Sequence, residues 1–377
     1  MYKKNIRIIY ASTAVIPSRT ANSIQVMKMC SAFARQGNKV TLLACRSRDE
    51  IKEKKNIYEF YGVKDNFKIV RFPSYNYHKK AISKFLPNIY TLLCGIYILF
   101  LKPDIVYGRF PQVLYLLTLL GKKVVYEAHK LSNEKKVNNL LKSKHLKTIV
   151  VISNKLKEKI KSKVKYAKII VAHDGADMIL DFENKEINWP GRKNILQIGY
   201  IGHLYKGKGM EIILLLASYF PDIDFHIIGG LFEDIEYWKK QYSGNNIYFH
   251  GFVPHGELLP YYKKLEVFLA PYKKRVFVNG GIADIAEYMS PLKLFEYMAA
   301  GKVIVSSRLP VLEEVLEDGI NALLCDPDNL DEWIKAIKTL LEDEQLRKKL
   351  GENAKNTLEK KYTWEKRSIK ILRKISK

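Results

Sequence analysis

The chain has 377 residues, 47% hydrophobic and 27% charged, which is ordinary for a folded protein and long enough for two or three domains. Lys and Arg outnumber Asp and Glu by 64 to 39, a net charge of +25 that is not ordinary, but the apolar content is too high for disorder. Cys30, Cys45, Cys94 and Cys325 lie far apart with no Cys-x-x-Cys pair, which excludes a disulfide scaffold and a cysteine zinc site, and no short repeat indicates a fibre or solenoid.

The start, MYKKNIRIIYAST, is basic and then apolar. Arg7 interrupts the apolar run, so Ile6–Ala11 reads as a buried strand rather than a signal peptide. An amphipathic helix at Ser23–Gln36 follows, then strands at Lys39–Ala44 and Lys68–Phe72. The longest apolar stretch is Phe85–Leu101. Pro87 and Asn88 break its start, and Ile89–Leu101 falls short of the ~20 residues of a spanning helix. It reads as a core helix; the sharper reading is a helix partly exposed to a bilayer surface, flanked by Lys79, Lys80, Lys84 and Lys102.

Strands at Ile105–Tyr107, Lys123–Tyr126, Thr148–Ile152 and Ile169–Val171 come next, with a helix at Gln112–Leu120. Between Lys130 and Lys168 there are thirteen Lys and two acids, Glu134 and Glu158; Leu358–Lys377 carries eight Lys or Arg and two acids. Such runs are either solvated faces or sites for anionic lipid or nucleic acid. No nucleic-acid reader and no stacking aromatics accompany them, which favours an anionic membrane surface over nucleic acid.

Asp177–Arg192 has no clear period and reads as a linker. The alternation then restarts, with strands near Ile195–Gly199, Asp224–Ile228, Ile247–Phe249, Val267–Ala270, Val303–Ser306 and Ala322–Cys325, and helices near Met210–Tyr219, Leu292–Ala300 and Leu330–Leu341. The fold class is α/β: two Rossmann-like, doubly wound parallel-sheet domains, 1–182 and 183–359. Ligands of such sheets bind beyond the carboxyl ends of the strands, so the expected site is the cleft across which the two domains face each other.

Several segments carry chemistry. In Tyr288–Ser306, YMSPLKLFEYMAAGKVIVS, Ser290 is placed as an N-cap and Pro291 as the first helical residue, and Gly301 as the C-cap. The backbone N–H groups of that helix start, around Leu292, form an anion site. Lys293 in the first turn opposes the helix dipole unless an anion joins it. Glu296 is either a surface carboxylate or an acceptor for a vicinal diol such as a ribose. In Ile198–Met210, IGYIGHLYKGKGM, Gly199, Gly202, Gly207 and Gly209 permit close approach of a ligand, and Lys206 and Lys208 can neutralise phosphate. Its spacing fits neither the P-loop nor the dinucleotide fingerprint, against an NTPase or dehydrogenase. His129, in VVYEAHK, sits just past a strand's carboxyl end. Ser18, Arg19 and Asn22 in the first loop and Arg109 after the Ile105–Tyr107 strand are weaker candidates.

Together these segments resemble the retaining glycosyltransferases of the GT-B fold, family four. SPLKLFEYMAAGKVIVSS resembles the signature around the second motif glutamate, here Glu296. GYIGHLYKGKG resembles the phosphate loop, with Lys208–Gly209 as its Lys-Gly. HDGAD resembles the turn that ends the first domain, YEAHK the segment with a histidine near the donor sugar, and IPSRTANSIQVMKMCSAFARQGNKVTLLA the first loop, helix and second strand. The chain departs at Tyr288, where the family has its first glutamate, and at His203, where an Arg often follows the first Gly of the loop.

The resemblance implies a hexosyltransferase-type enzyme that moves a sugar from a UDP- or GDP-sugar with retention, with neither cofactor nor metal. His129, Lys208 and Glu296 would be catalytic. Gly202, His203, Gly209, Ser290, Pro291, Leu292 and Lys293 would bind the donor, and Ser18, Arg19, Asn22 and Arg109 the acceptor or a phosphate. It also implies that the final helix, Trp364–Ile375, within a returning segment 360–377, crosses back to the first domain. The basic N-terminal half and Phe85–Leu101 point to a lipid-linked or polysaccharide acceptor in envelope glycan synthesis, handled by a cytoplasmic protein peripheral to the inner face of the membrane. Competing readings are an epimerase or phosphorylase of the same fold, and a non-catalytic sugar- or lipid-binding protein at the membrane surface.

Overall fold

Strands covered on both faces need apolar residues at consecutive positions, and Ile8–Ala11, Leu42–Ala44 and Ile149–Val151 supply them, all buried. The structure, a computed structural model, describes residues 5–46, 56–73, 86–179, 186–277 and 284–375. It divides into two units, Met1–His173 with Trp364–Lys377, and Asp174–Thr363.

In the first unit, the strands are β1 (Arg7–Val15), β2 (Lys39–Arg46), β3 (Lys68–Pro73), β4 (Ile105–Gly108), β5 (Val124–Ala128), β6 (Leu146–Val151) and β7 (Lys168–Val171). The helices are α1 (Ala21–Arg35), α2 (Ile57–Phe60), α3 (Leu86–Leu101), α4 (Pro111–Leu119), α5 (Lys135–Leu141) and α6 (Asn154–Ile160). The strands pair in parallel in the order β3-β2-β1-β4-β5-β6-β7. Strand order reverses between β1 and β4, and Gly108 brings them close: a Cβ there would lie 2.1 Å from the Ala11 carbonyl oxygen. The register sets Tyr10 beside Tyr107 and Tyr107 beside Val125. Side chains alternate along a strand, so Glu127 shares their face of the sheet.

α3 starts at Leu86, ahead of the expected Ile89, with Pro87 in the first turn, where its missing N–H costs nothing. Cys94 and Ile98 are buried, and Gly95 fits against Leu116 of α4. The opposite face, Ile89, Leu92, Leu93, Ile96 and Phe100, is exposed, with Phe100 at 80%. The core-helix reading describes the buried face alone. Lys79, Lys80 and Lys84 lie outside the described residues.

In the second unit, the strands are β8 (Gln197–Ile201), β9 (Asp224–Ile228), β10 (Ile247–Gly251), β11 (Val267–Ala270), β12 (Val303–Ser307) and β13 (Leu323–Cys325). The helices are α7 (Met210–Tyr219), α8 (Phe232–Lys240), α9 (Leu259–Lys264), α10 (Leu292–Ala300), α11 (Leu330–Glu342) and α12 (Glu344–Thr357). The sheet order is β10-β9-β8-β11-β12-β13, parallel throughout, with its reversal between β8 and β11.

The chain then returns through α13 (Trp364–Ile375), whose buried stripe of Trp364, Arg367, Ser368, Ile371 and Leu372 packs on α1 of the first unit. This follows the helical period of one buried face. The first unit ends at His173 rather than at 182. Asp174 donates its N–H to Ser290 Oγ at 3.0 Å and Ala176 donates to the Tyr362 carbonyl, which fixes this turn to the second unit.

The described part of the expected linker is also anchored. The Trp189 ring stacks on His226 at 4.1 Å, and Arg192 donates Nε and Nη2 to Oδ1 of the buried Asp224 and its backbone N–H to Oδ2. Hydropathy shows no period there because the attachments are single side chains rather than a face.

Candidate active site

The reversal of strand order in the second sheet places the β8–α7 loop beside the loop leaving β11. Gly209, with φ +85°, caps α7, and a Cβ on it would lie 1.8 Å from the Pro271 carbonyl oxygen. Gly202, with φ +148°, leaves room for Lys293: a Cβ there would lie 2.8 Å from Nζ. The Lys293 ammonium stands 3.5 Å from the centre of the Tyr200 ring and 5.5 Å from that of Tyr272; Lys208 Nζ is 5.1 Å from the same Tyr272 ring. The two lysines thus converge, and the Lys293 Nζ is buried with no hydrogen-bond partner.

Burial brings the Lys208 pKa down to about 8. For Lys293, burial first and then the nearby Lys208 push it well below the ordinary lysine value, with Glu296 opposing. Ring faces are weak substitutes for an anion: a cation–π contact contributes ~2 kcal/mol when desolvated, less than it costs to bury an unpaired charge. Two ammonium groups held so close to the start of α10 are arranged for a ligand with more than one negative charge.

α10 itself starts differently from the expectation. Pro291 is the N-cap, Leu292 the first helical residue, and Ser290 accepts the Asp174 N–H instead of capping. Pro291 has extended backbone, ψ 122°, so the turn opens one residue later than the Ser-Pro pattern indicates. Gly301, with φ +65°, ends the helix as expected. Glu296 accepts from Tyr262 Oη at 3.0 Å and lies 2.7 Å from His255 Nε2. Both carboxylate oxygens are therefore oriented. Tyr288 is buried and donates its hydroxyl to the Asp284 carbonyl. The His203 ring stacks on Tyr205 at 4.7 Å, and its carbonyl accepts from Tyr200. Lys206 is exposed.

In the first unit, His129 lies just past β5, its Nε2 2.7 Å from Glu127 Oε1. Glu127 is buried in the sheet. Its Oε1 also accepts from Gln25 Nε2 at 2.7 Å and Arg367 Nη2 at 2.6 Å, and its Oε2 from the Tyr10 and Tyr107 hydroxyls. Burial would push this carboxyl up; Arg367 and the His129 hydrogen bond outweigh it and hold the group well below the usual carboxylate range. Arg109 donates to Gln25 Oε1 at 2.8 Å and so joins the same network. In the first loop, Ser18 bonds Ser23 and Tyr61, Arg19 is exposed, and Asn22 Oδ1 is buried without a hydrogen-bond partner.

Two family descriptions match the chain: "Glycosyltransferase Family 4" over residues 23–178 and "Glycosyl transferases group 1" over 181–357. Between them they take in most of both units. The chain belongs to the group 1, family 4 glycosyltransferases. An uncharacterized glycosyltransferase of Methanocaldococcus jannaschii is 34% identical over 191 residues, 48% of this chain and 45% of its own. A phosphatidyl-myo-inositol mannosyltransferase of Mycolicibacterium smegmatis is 29% identical over 170 residues, 44% of this chain and 41% of its own. The chain thus spans about half the length of the curated relatives it matches. Among solved structures, HepE of Anabaena in complex with UDP and glucose superposes with a TM-score of 0.71 at 14% identity, covering 99% of this chain and all of that one. The fold is GT-B, two Rossmann-like domains.

Within this family member, sequence reasoning passed over His255, Tyr262, Tyr200, Tyr272, Glu127 and Arg367. Glu127 left a signal, an acid in the middle of a buried apolar strand, two residues before His129. The others left none, because aromatic and basic residues are common and only the fold brings these to Glu296, Lys293 and His129.

Proposed function

We propose that this chain transfers a hexose from a nucleoside diphosphate sugar to a lipid-linked or polysaccharide acceptor, with retention of configuration and without a metal ion. The observation that carries this reading is the pair of desolvated lysines, Lys208 and Lys293, beside the start of α10. Charge builds on the leaving diphosphate as the glycosidic bond breaks, and donors fixed in advance stabilise it more than they do the ground state. Lys208, Lys293 and the amides around Gly202 and Leu292 are the donors assigned to that charge. Glu296, oriented by His255 and Tyr262, is assigned to the ribose diol. His129 is assigned to the transferred sugar, and Arg109, Ser18, Arg19 and Asn22 to the acceptor or its phosphate. No protein nucleophile is assigned: the acceptor attacks on the face the diphosphate leaves, and the phosphate takes its proton.

The UDP complex of the HepE neighbour supports a uridine donor. The inositol-lipid mannosyltransferase among the relatives and the exposed apolar face of α3 support a lipid acceptor reached at the cytoplasmic membrane face. The test is a panel of UDP- and GDP-sugars scored by thermal stabilisation and slow hydrolysis, with and without EDTA. One class of donor should stabilise the protein and be hydrolysed at a rate EDTA leaves unchanged, and Lys208→Ala should lose about two orders of magnitude in turnover. Near-normal turnover of that variant would refute the assignment.

A further inference from the structure

We propose that Glu127 and Arg367 are positioning residues for His129, which makes the last helix of the chain a working part of the catalytic apparatus. This rests on the reading of His129 as a group at the transferred sugar.

The argument starts from the carboxylate. Glu127 is ionised and can only accept, so the proton between it and His129 belongs to Nε2. That bond fixes the ring plane about its stem. An ionised carboxylate buried without compensation would draw a second proton onto the imidazole. Arg367 supplies that compensation: its side chain is 2% exposed and that of Glu127 0%, and they meet at 2.6 Å.

Arg367 is itself held, with Nε donating to the His173 carbonyl at 2.8 Å and Nη2 to the Ala172 carbonyl at 3.2 Å. The Tyr10 and Tyr107 phenols are pushed well above their ordinary pKa, by burial first and then by Glu127, so they remain donors. Gln25 carries the same order outward, accepting from Arg109 while donating to Glu127. His129 and Arg109, both just past strand ends, are thus oriented from one carboxylate whose charge is balanced by α13. If the network only fastened α13 to the sheet, a buried ion pair would be an expensive way to do it, because apolar packing serves as well or better.

The test uses the full chain, labelled at histidine, with H129A to assign the His129 signals. In the unmodified protein, His129 should show an Nε2-bound proton that is shifted downfield and slow to exchange with water. E127Q and R367M should move or abolish that signal, and R367K, which keeps the charge, should largely restore it. With UDP-glucose or GDP-mannose as donor, whichever turns over, E127Q should lower kcat about tenfold or more with donor KM little changed. In the H129A background it should add less than about twofold, because residues acting through one group do not contribute separately. A His129 signal unchanged in E127Q and R367M, or losses that multiply in the double variant, would overturn the proposal. Normal turnover of H129A would instead remove the reading of His129 at the sugar, with the proton signal still deciding the positioning. If R367M does not fold, E127Q and R367K decide.

Discussion

The Lys293 ammonium rests 3.5 Å from the centre of the Tyr200 ring, with the smaller Gly202 leaving it space. A buried ammonium on a ring face, with no hydrogen-bond partner, is held at a cost that an anionic ligand or loss of the proton removes.

On the proposed function, the two lysines oppose stability and serve binding. Lys293→Met should raise the melting temperature of the ligand-free protein, since it keeps the stem and removes the buried charge. The same variant should lose most of the stabilisation produced by UDP. Differential scanning calorimetry with and without UDP checks both, and a lowered ligand-free melting temperature would count against the unpaired state of this ammonium.

Lys208 sets a pH dependence. Its pKa is lowered to about 8 by burial, from about 10.4 in an unfolded chain. Below about pH 8 it is charged and can hold a diphosphate, so kcat/KM for the donor should fall as pH rises through this value. The stability of the ligand-free protein runs the other way. Between about 8 and 10.4 the unfolded chain binds the extra proton, so this group's contribution rises with pH across that window and is lost as pH falls through about 8. Lys208→Met should remove both slopes, as donor kinetics and denaturation measured from pH 6 to about 10 would show.

Glu296 separates binding from chemistry. Glu296→Gln keeps the shape and replaces one acceptor oxygen by a donor, so a diol loses a partner while the lysines stay in place. Donor KM should rise by about tenfold, the loss expected for a charge-assisted hydrogen bond of ~1.5 kcal/mol, with kcat changed far less. His255→Ala should give a smaller rise of the same kind, because it removes the group 2.7 Å from Oε1 rather than the acceptor. A fall in kcat with unchanged KM would contradict the ribose assignment.

The exposed face of α3 bears on the acceptor. Leu92, Ile96 and Phe100 lie on one side of the helix, and Lys102, Lys122 and Lys123 are exposed near its end and that of α4. Apolar insertion with a basic rim favours an anionic bilayer. The protein should float with anionic vesicles and much less with zwitterionic ones, and Ile96→Glu with Phe100→Glu should abolish flotation without lowering the melting temperature. Failure to float with anionic vesicles would remove the membrane reading, and flotation indifferent to lipid charge would remove its anionic part.

The amino-acid sequence by itself determined the local architecture. Strands Asp224–Ile228 and Val267–Ala270 and helices Met210–Tyr219 and Leu292–Ala300 lie where apolar runs, helical periods and glycine stops place them, and the last helix, Trp364–Ile375, lies where the family resemblance implies. These signals are local, set by burial and by backbone freedom within a few residues. The lysine pair was legible in part, since Lys208 sits in a glycine loop and Lys293 at a helix start that opposes its charge. Tertiary structure decided what surrounds them. Tyr200 and Tyr272 meet the lysines because β8, β11 and α10 are neighbours, and His255 and Tyr262 meet Glu296 because α9 and the turn before it pack on α10. Arg367 reaches Glu127 only because the chain comes back through α13. Pairwise polar contacts between distant residues leave no periodicity to read. Their partners are chosen by sheet order and register, which take shape only when the whole core is packed.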